Sequence, residues 1–201
     1  TGDYNVVSAN QIYDAGQHGI YQSLALKNNV FGNAINAMDQ SGIYLDQSTS
    51  NNVSGNQITG SSSVTAYHCI HLRQSAGALI AGNQLRYHGM GINSEAGDNH
   101  LVVGNMATYS NHEAIHLDGE GSPGKSIVFG NRVEYFSYGA GSHRGIAVRQ
   151  GSGIVIGGNV ATNSESGYSP SNGVYSATDQ TSFFGNVAYM SGTELQMTPA
   201  T

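Results

Sequence analysis

Short stretches of alternating apolar and polar residues recur along this chain, each closed by a Gly-Asn or Ala-Asn pair. NNVSGNQI and SIVFGNRV alternate as half-buried strands do, and so do GIYLD and AIHLDG. No stretch sustains a long apolar period of 3.6 residues. The asparagines that close the pattern are Asn10, Asn33, Asn56, Asn83, Asn105, Asn131, Asn159 and Asn186, at steps of 23, 23, 27, 22, 26, 28 and 27 residues. A second apolar mark, usually behind a glycine, follows the first seven: Ile20, Ile43, Ile70, Ile92, Ile115, Ile146 and Val174, with Leu195 a weaker eighth. A repeat in the twenties predicts a solenoid in which each coil touches only its neighbours.

Leucine is too scarce for a leucine-rich repeat, and a β-sandwich gives no reason for a fixed asparagine. Each repeat therefore reads as two or three short strands, parallel to their copies in the next coil. The Gly-Asn pair sits at a turn, where both residue types tolerate the left-handed region. Stacked asparagine amides can also bond from coil to coil. These features predict an all-β, right-handed, single-stranded parallel β-helix of about eight coils, one domain over residues 1–201.

The coil consensus resembles that of the right-handed parallel β-helix superfamily of pectate-lyase-like proteins, phage tailspikes and surface epimerases. The resemblance runs from Tyr4 to about Met197. It implies the fold, a carbohydrate-active outer face, and an extracellular, cell-surface or phage-virion location. Inert shafts share the same consensus, so a structural fibre segment stays open beside the enzyme reading.

Composition narrows the partners. Only 10% of residues are charged, the net charge is -6 and no basic run occurs, which argues against nucleic acid. No 18-residue apolar stretch is present, and no membrane partner is expected. The single Cys69 allows no internal disulfide. Neither end carries a capping helix, which predicts either a piece of a longer protein or a homo-oligomer, a trimer on the tailspike resemblance.

Alternation assigns the facings of the Gly-Ile strand. Ile43 with Leu45, Ile70 with Leu72, Ile115 with Leu117 and Ile146 with Val148 point inward. One outer column reads Tyr21, Tyr44, His71, Asn93, His116, Ala147 and Tyr175. The next reads Ser23, Asp46, Arg73, Glu95, Asp118, Arg149 and Ala177. Small residues before each Ile (Gly19, Gly42, Cys69, Gly91, Ala114, Gly145, Gly173) suggest a shallow trough alongside. The long insertions, 59–67, 134–144 and 162–172, would wall it on one flank. Tyr67, Tyr135, Tyr138 and Tyr168 offer rings for stacking on sugars or for sealing loop bases.

Two chemistries suit this row. Proton abstraction at C5 of a uronate, leading to β-elimination or epimerisation, needs a carboxylate neutraliser (Arg73, Asn93), a base (His71 or His116) and a proton donor (Tyr44). Hydrolysis needs two carboxylates, for which Glu95 and Asp118 in one column are the candidates, their mutual repulsion raising one pKa. Asp46 and Arg149 complete the expected binding surface. They also have a plain reading, Asp46 stacking on Arg73 and Asp118 on Arg149.

The His112–His116 stretch, HEAIH, matches a zinc-protease signature that works only on a helix, and a strand separates its two histidines too widely. His68 and His71 are nearer to each other but show no third ligand in the sequence. No cofactor is predicted; calcium is the single cation considered, at DGEGSPG (118–124).

Overall fold

The computed structural model describes residues 3–36, 39–60, 67–119, 125–136, 143–149, 151–163, 172–178, 180–189 and 193–197. They form three parallel sheets of eight strands each, and no helix occurs among the described residues. One rung shows the plan: Asn52–Ser54 lies in the first sheet, Gln57–Thr59 in the second and His68–Arg73 in the third. Every strand pairs in parallel with its copies one rung above and below. Eight rungs stack, six of them covered on both sides; counted as enclosed turns this is about six, slightly fewer than the about eight coils expected.

The corner between the first and second sheets explains the asparagine. The left-handed residue is the one before it: Gly32, Gly55, Gly82, Gly104, Gly130, Gly158 and Gly185 have φ between 59° and 63°, and Ala9 has 56°. Glycine enters this region without the Cβ clash that other residues meet. The following asparagine turns inward and joins a ladder. Asn56 Nδ2 donates to Asn83 Oδ1 at 3.0 Å and to the Val30 carbonyl at 3.0 Å, while Asn33 Nδ2 donates to Asn56 Oδ1 at 2.9 Å. The same amide-to-amide bond runs from Asn10 through Asn186. A fully buried amide is thereby satisfied on both faces, as its burial requires.

A second polar column lines the corner between the third and first sheets. Asn28 Nδ2 donates to Asn51 Oδ1 at 3.1 Å, Ser48 N donates to Ser75 Oγ at 3.2 Å, and His100 N donates to Ser126 Oγ at 3.1 Å. The Asn-Asn-Val at 28–30 and 51–53 carried this signal in the sequence.

Apolar columns fill the interior as alternation predicts. Val30, Val53, Ile80, Val102, Val128 and Ile156 stack from the first sheet, and Ile43, Ile70, Ile92, Ile115 and Ile146 from the third, all fully buried. Ser94 interrupts the leucine column at Leu45 and Leu72, and its buried hydroxyl bonds His100 Nε2 at 3.0 Å.

The small-residue column is not a trough. Gly42, Cys69, Gly91, Ala114, Gly145 and Gly173 are buried. A Cβ on Gly91 would come 2.5 Å from the Ala114 carbonyl oxygen, and one on Gly145 would come 2.6 Å from that of Gly173. The residues are small because the neighbouring rung's backbone and second-sheet side chains such as Ala107 and Val133 already fill the space a side chain would take. Of the expected loop walls, 59–67, 134–144 and 162–172, the stretches 61–66, 137–142 and 164–171 lie outside the described residues.

Candidate functional site

The third sheet sets the outer row in register. Tyr44 pairs with His71, His71 with Asn93, and Asn93 with His116; beside them Asp46 pairs with Arg73, Arg73 with Glu95, and Glu95 with Asp118. Glu95 thus belongs to the strand Met90–Glu95 and holds its expected place.

Burial divides this row. Tyr21 is 55% exposed, whereas Asn93 is 2% exposed, His116 7% and Ala147 not at all. An outer column that should face solvent is covered over its middle rungs. Among the described residues the cover includes Glu113, itself 2% exposed.

Asn93 is the hub. Its Nδ2 donates to Glu95 Oε1 at 2.8 Å and lies 3.3 Å from His68 Nε2. Its Oδ1 lies 3.0 Å from His116 Nδ1. An amide oxygen only accepts, so His116 carries its proton on Nδ1 and its lone pair on Nε2. An amide nitrogen only donates, so His68 presents its lone pair at Nε2. Every polar atom of Asn93 is therefore committed within the protein, and the expected role as a substrate-carboxylate neutraliser is withdrawn.

Around His71, Nε2 approaches Glu95 Oε2 at 3.3 Å, which leaves the lone pair of the neutral ring on Nδ1. Burial lowers the pKa of His71, so the neutral ring prevails near pH 7. Tyr44 meets the His71 ring edge-on at 4.8 Å and stacks on His18 at 4.6 Å. Burial raises the Tyr44 pKa and keeps its hydroxyl protonated. Arg73, with a side chain 49% exposed, donates from Nε to the nearly buried Asp46 at 2.8 Å. The Asp46–Arg73 pairing read from the sequence is present, and it leaves Arg73's terminal nitrogens at the surface.

The paired-acid expectation does not fit. Burial alone would raise the Glu95 pKa, but His71 and the Asn93 amide together bring it below the usual value, so Glu95 is held as a carboxylate. Asp118 is its register neighbour but has a buried Oδ1 without a hydrogen-bond partner. The proposed Asp118–Arg149 stack is replaced: Arg149 pairs with Glu113 at 2.9 Å. Glu113 also lies 3.8 Å from Arg144 and 3.7 Å from His143. Burial alone would raise the Glu113 pKa, but its own backbone N–H, His116 and Arg149 outweigh that and hold it ionised.

Tyr67 is fully buried, its hydroxyl bonded to the Tyr87 carbonyl, so it seals the core rather than stacking on a sugar. Tyr135 joins a ring stack, 4.9 Å from Tyr109, which lies 4.9 Å from Tyr87. Tyr138, Tyr168 and the proposed calcium loop beyond Gly119 lie outside the described residues. His112 faces His143, with Nδ1 and Nε2 3.1 Å apart, while His116 faces Asn93, so the two histidines of the protease-like stretch diverge.

In the sequence Glu113 stands out only within HEAIH, and nothing there points to His143 or Arg144. The local sequence around Glu113 looks like a turn, and a carboxylate there usually faces water.

Two groups of ligating side chains emerge among the described residues: His68, His71 and Glu95, and His112, Glu113 and His143. In the first, Glu95 is the third partner that the sequence did not reveal.

Comparison with known proteins follows the fold. Residues 1–85, less than half of the chain, match the family described as periplasmic copper-binding protein (NosD). No curated protein gives a significant match. Among solved structures, the periplasmic alginate epimerase AlgG superposes with a TM-score of 0.59 at 18% identity, over 92% of this chain and 48% of that one. A point mutant of AlgG gives 0.62 at 18% identity, over 90% and 47%. The A-module of the Azotobacter vinelandii mannuronan C-5 epimerase AlgE6 gives 0.52 at 11% identity, over 99% and 58%. The chain spans about half the length of these solved neighbours, none of which is a phage protein. By its three stacked parallel sheets and these superpositions, the chain has the right-handed parallel β-helix fold.

Proposed function

We propose that the outer face of the third sheet binds an acidic polysaccharide and exchanges the C5 proton of a uronate unit, as an epimerase or a lyase. The observation that carries this reading is the contiguity of Tyr44, His71 and Arg73 on two adjacent rungs. They supply a proton donor, a neutral base and an exposed cation. The fold likeness to two alginate- and mannuronan-directed epimerases supports the same class.

In this reading Arg73 pairs with the uronate carboxylate and stabilises the charge that develops when C5 loses its proton. His71 Nδ1 accepts that proton, while Glu95 at Nε2 fixes the ring's tautomer and orientation. Tyr44 delivers a proton to the opposite face of C5 for epimerisation, or to the departing O4 for elimination. Solvent exchange then returns the His71 proton and reprotonates Tyr44. Hydrolysis is the weaker chemistry, because His71 and the Asn93 amide hold Glu95 ionised rather than poised as the acid. The net charge of -6 makes binding of a polyanion depend on Arg73 and other local cations. An extracytoplasmic location and a self-associated state are part of the proposal.

The test is incubation with polymannuronate, polyguluronate and pectate in deuterated water. C5 deuteration read by NMR is expected, with an unsaturated uronate chromophore only if elimination follows. Neither binding nor exchange with any acidic polymer would return the chain to the shaft reading.

A further inference from the structure

We propose that His68, His71 and Glu95 form a binding site for a first-row divalent transition cation, with zinc as its representative. One ligand atom from each lies within 4.8 Å of the other two. A tetrahedral site with bonds of about 2.0–2.1 Å holds its ligand atoms about 3.3 Å apart. His71 Nε2 and Glu95 Oε2 already have that separation, 3.3 Å. Only His68 must close in, by a side-chain adjustment.

The surroundings favour a cation over an empty cluster. The His68 and His71 rings meet edge-on at 4.7 Å, His71 Nε2 faces Glu95 Oε2 at 3.3 Å, and His68 Nδ1 is buried without a hydrogen-bond partner. Leaving such an atom unsatisfied is costly, and a metal bond relieves it. Asn93 Nδ2 donates to Glu95 Oε1 at 2.8 Å and so braces that carboxylate from the outer shell.

A cavity of about 270 Å³ opens on the cluster, lined by His18, Gln40, Ser41, Tyr44, His68 and His71. It leaves room for a fourth ligand, either water or His18, whose Nδ1 is also buried and unpartnered. Two imidazoles and one carboxylate suit zinc, cobalt or nickel better than calcium or magnesium.

The second group fits less well. A cation at His112, Glu113 and His143 would face Arg149 at 2.9 Å and Arg144 at 3.8 Å from the same carboxylate. Glu95 lies beyond residues 1–85, so the three-ligand set does not carry over from the family match there.

The site stands independently of the sugar chemistry, although the two share His71. A metal on Nε2 takes the atom that faces Glu95 and abolishes the arrangement that makes Nδ1 a base. Zinc and proton exchange are therefore mutually exclusive.

Calorimetry with zinc chloride on the intact chain, without any sugar, tests the site. Cobalt supplies a second readout, the intense visible absorption of a tetrahedral centre. One zinc per chain is expected. Binding should weaken at least about tenfold in Glu95→Gln and His68→Ala and by about 10–100-fold in Asn93→Ala, with His112→Ala unchanged. Circular dichroism confirms that each variant is folded, and Glu95→Gln, the mildest change, decides the matter if another is not. No zinc binding at micromolar concentration would overturn the site, and so would equal binding in folded Glu95→Gln and His68→Ala. Failure of polysaccharide exchange leaves this measurement untouched.

Discussion

The side-chain oxygen of Asn93 lies 3.0 Å from His116 Nδ1, across one step of the third sheet. The contact fixes the histidine tautomer and buries its other nitrogen, Nε2, without a partner. A carboxylate in place of the amide would stabilise the imidazolium instead. Asn93→Asp is therefore expected to raise the His116 pKa by one unit or more, from a value that burial now lowers. NMR titration of the ring reads this directly. An unchanged midpoint would mean that the two side chains do not meet in solution.

The asparagine ladder predicts a stability effect. In Asn56→Leu the Val30 carbonyl loses its Asn56 donor, the Asn33 amide loses its acceptor, and Asn83 Oδ1 loses its Asn56 side-chain donor. The loss should be about 1–3 kcal/mol, the cost of leaving buried polar groups unpaired. Chemical unfolding measures it. A variant as stable as the parent would show that the amide contributes nothing beyond the shape of the turn.

His100 predicts a pH effect. Its Nδ1 accepts from the Ala78 backbone N–H at 3.3 Å and its Nε2 faces Ser94 Oγ at 3.0 Å. Burial lowers its pKa to about 4 in the folded state, below the unfolded value of about 6.5. Between those values the unfolded chain binds the extra proton. Stability present above pH 6.5 is thus lost as the pH falls towards 4, at about 1.4 kcal/mol per unit for each such histidine. His68, lowered to about 4, and His88, lowered to about 3, act in the same direction. Unfolding free energy followed from pH 7 to 4 should fall steeply, and less steeply in His100→Gln. Parallel curves for the two proteins would exclude His100 as a contributor.

The proposed proton chemistry predicts an asymmetry between two histidines. His71→Ala should reduce C5 deuteration by about 10²–10⁴-fold, the usual contribution of a general base. His116→Gln should reduce it much less, because His116 is only 7% exposed and its free nitrogen is buried. Equal losses, or a larger loss in His116→Gln, would move the base to His116. Rates taken on one polyuronate at saturating concentration decide this.

Arg73→Lys separates the neutraliser from the base. Lysine keeps the charge but loses the guanidinium fork that holds Asp46 at 2.8 Å and reaches outward at the same time. kcat on the polymer should fall severalfold and KM should rise as well, because Arg73 both holds the carboxylate and stabilises the charge that develops at C5. A rise confined to KM would make Arg73 a binding residue alone.

The repeat and the alternation within it determined most of the architecture from the sequence alone. Parallel pairing forces like positions of successive coils into one column, so Asn56 over Asn83 or Ile70 over Ile92 follows from spacing. The vertical neighbours of the outer row, His71 beneath Asn93 and Arg73 beside Glu95, were legible for the same reason. What lies sideways was not. Glu113 rather than Asp118 receives Arg149, because the residues entering a strand leave the alternation and their direction depends on how the chain bends. Gly91 reads as part of an outer trough, whereas in the fold the Ala114 carbonyl and the Ala107 side chain leave no room beside it. Burial of Asn93 and His116 also escaped the periodicity, since alternation says which face a residue occupies but not what covers that face. The tertiary structure alone joined His68 to Glu95, which lie on different rungs, because their meeting depends on side-chain reach across a coil and on the Asn93 amide between them.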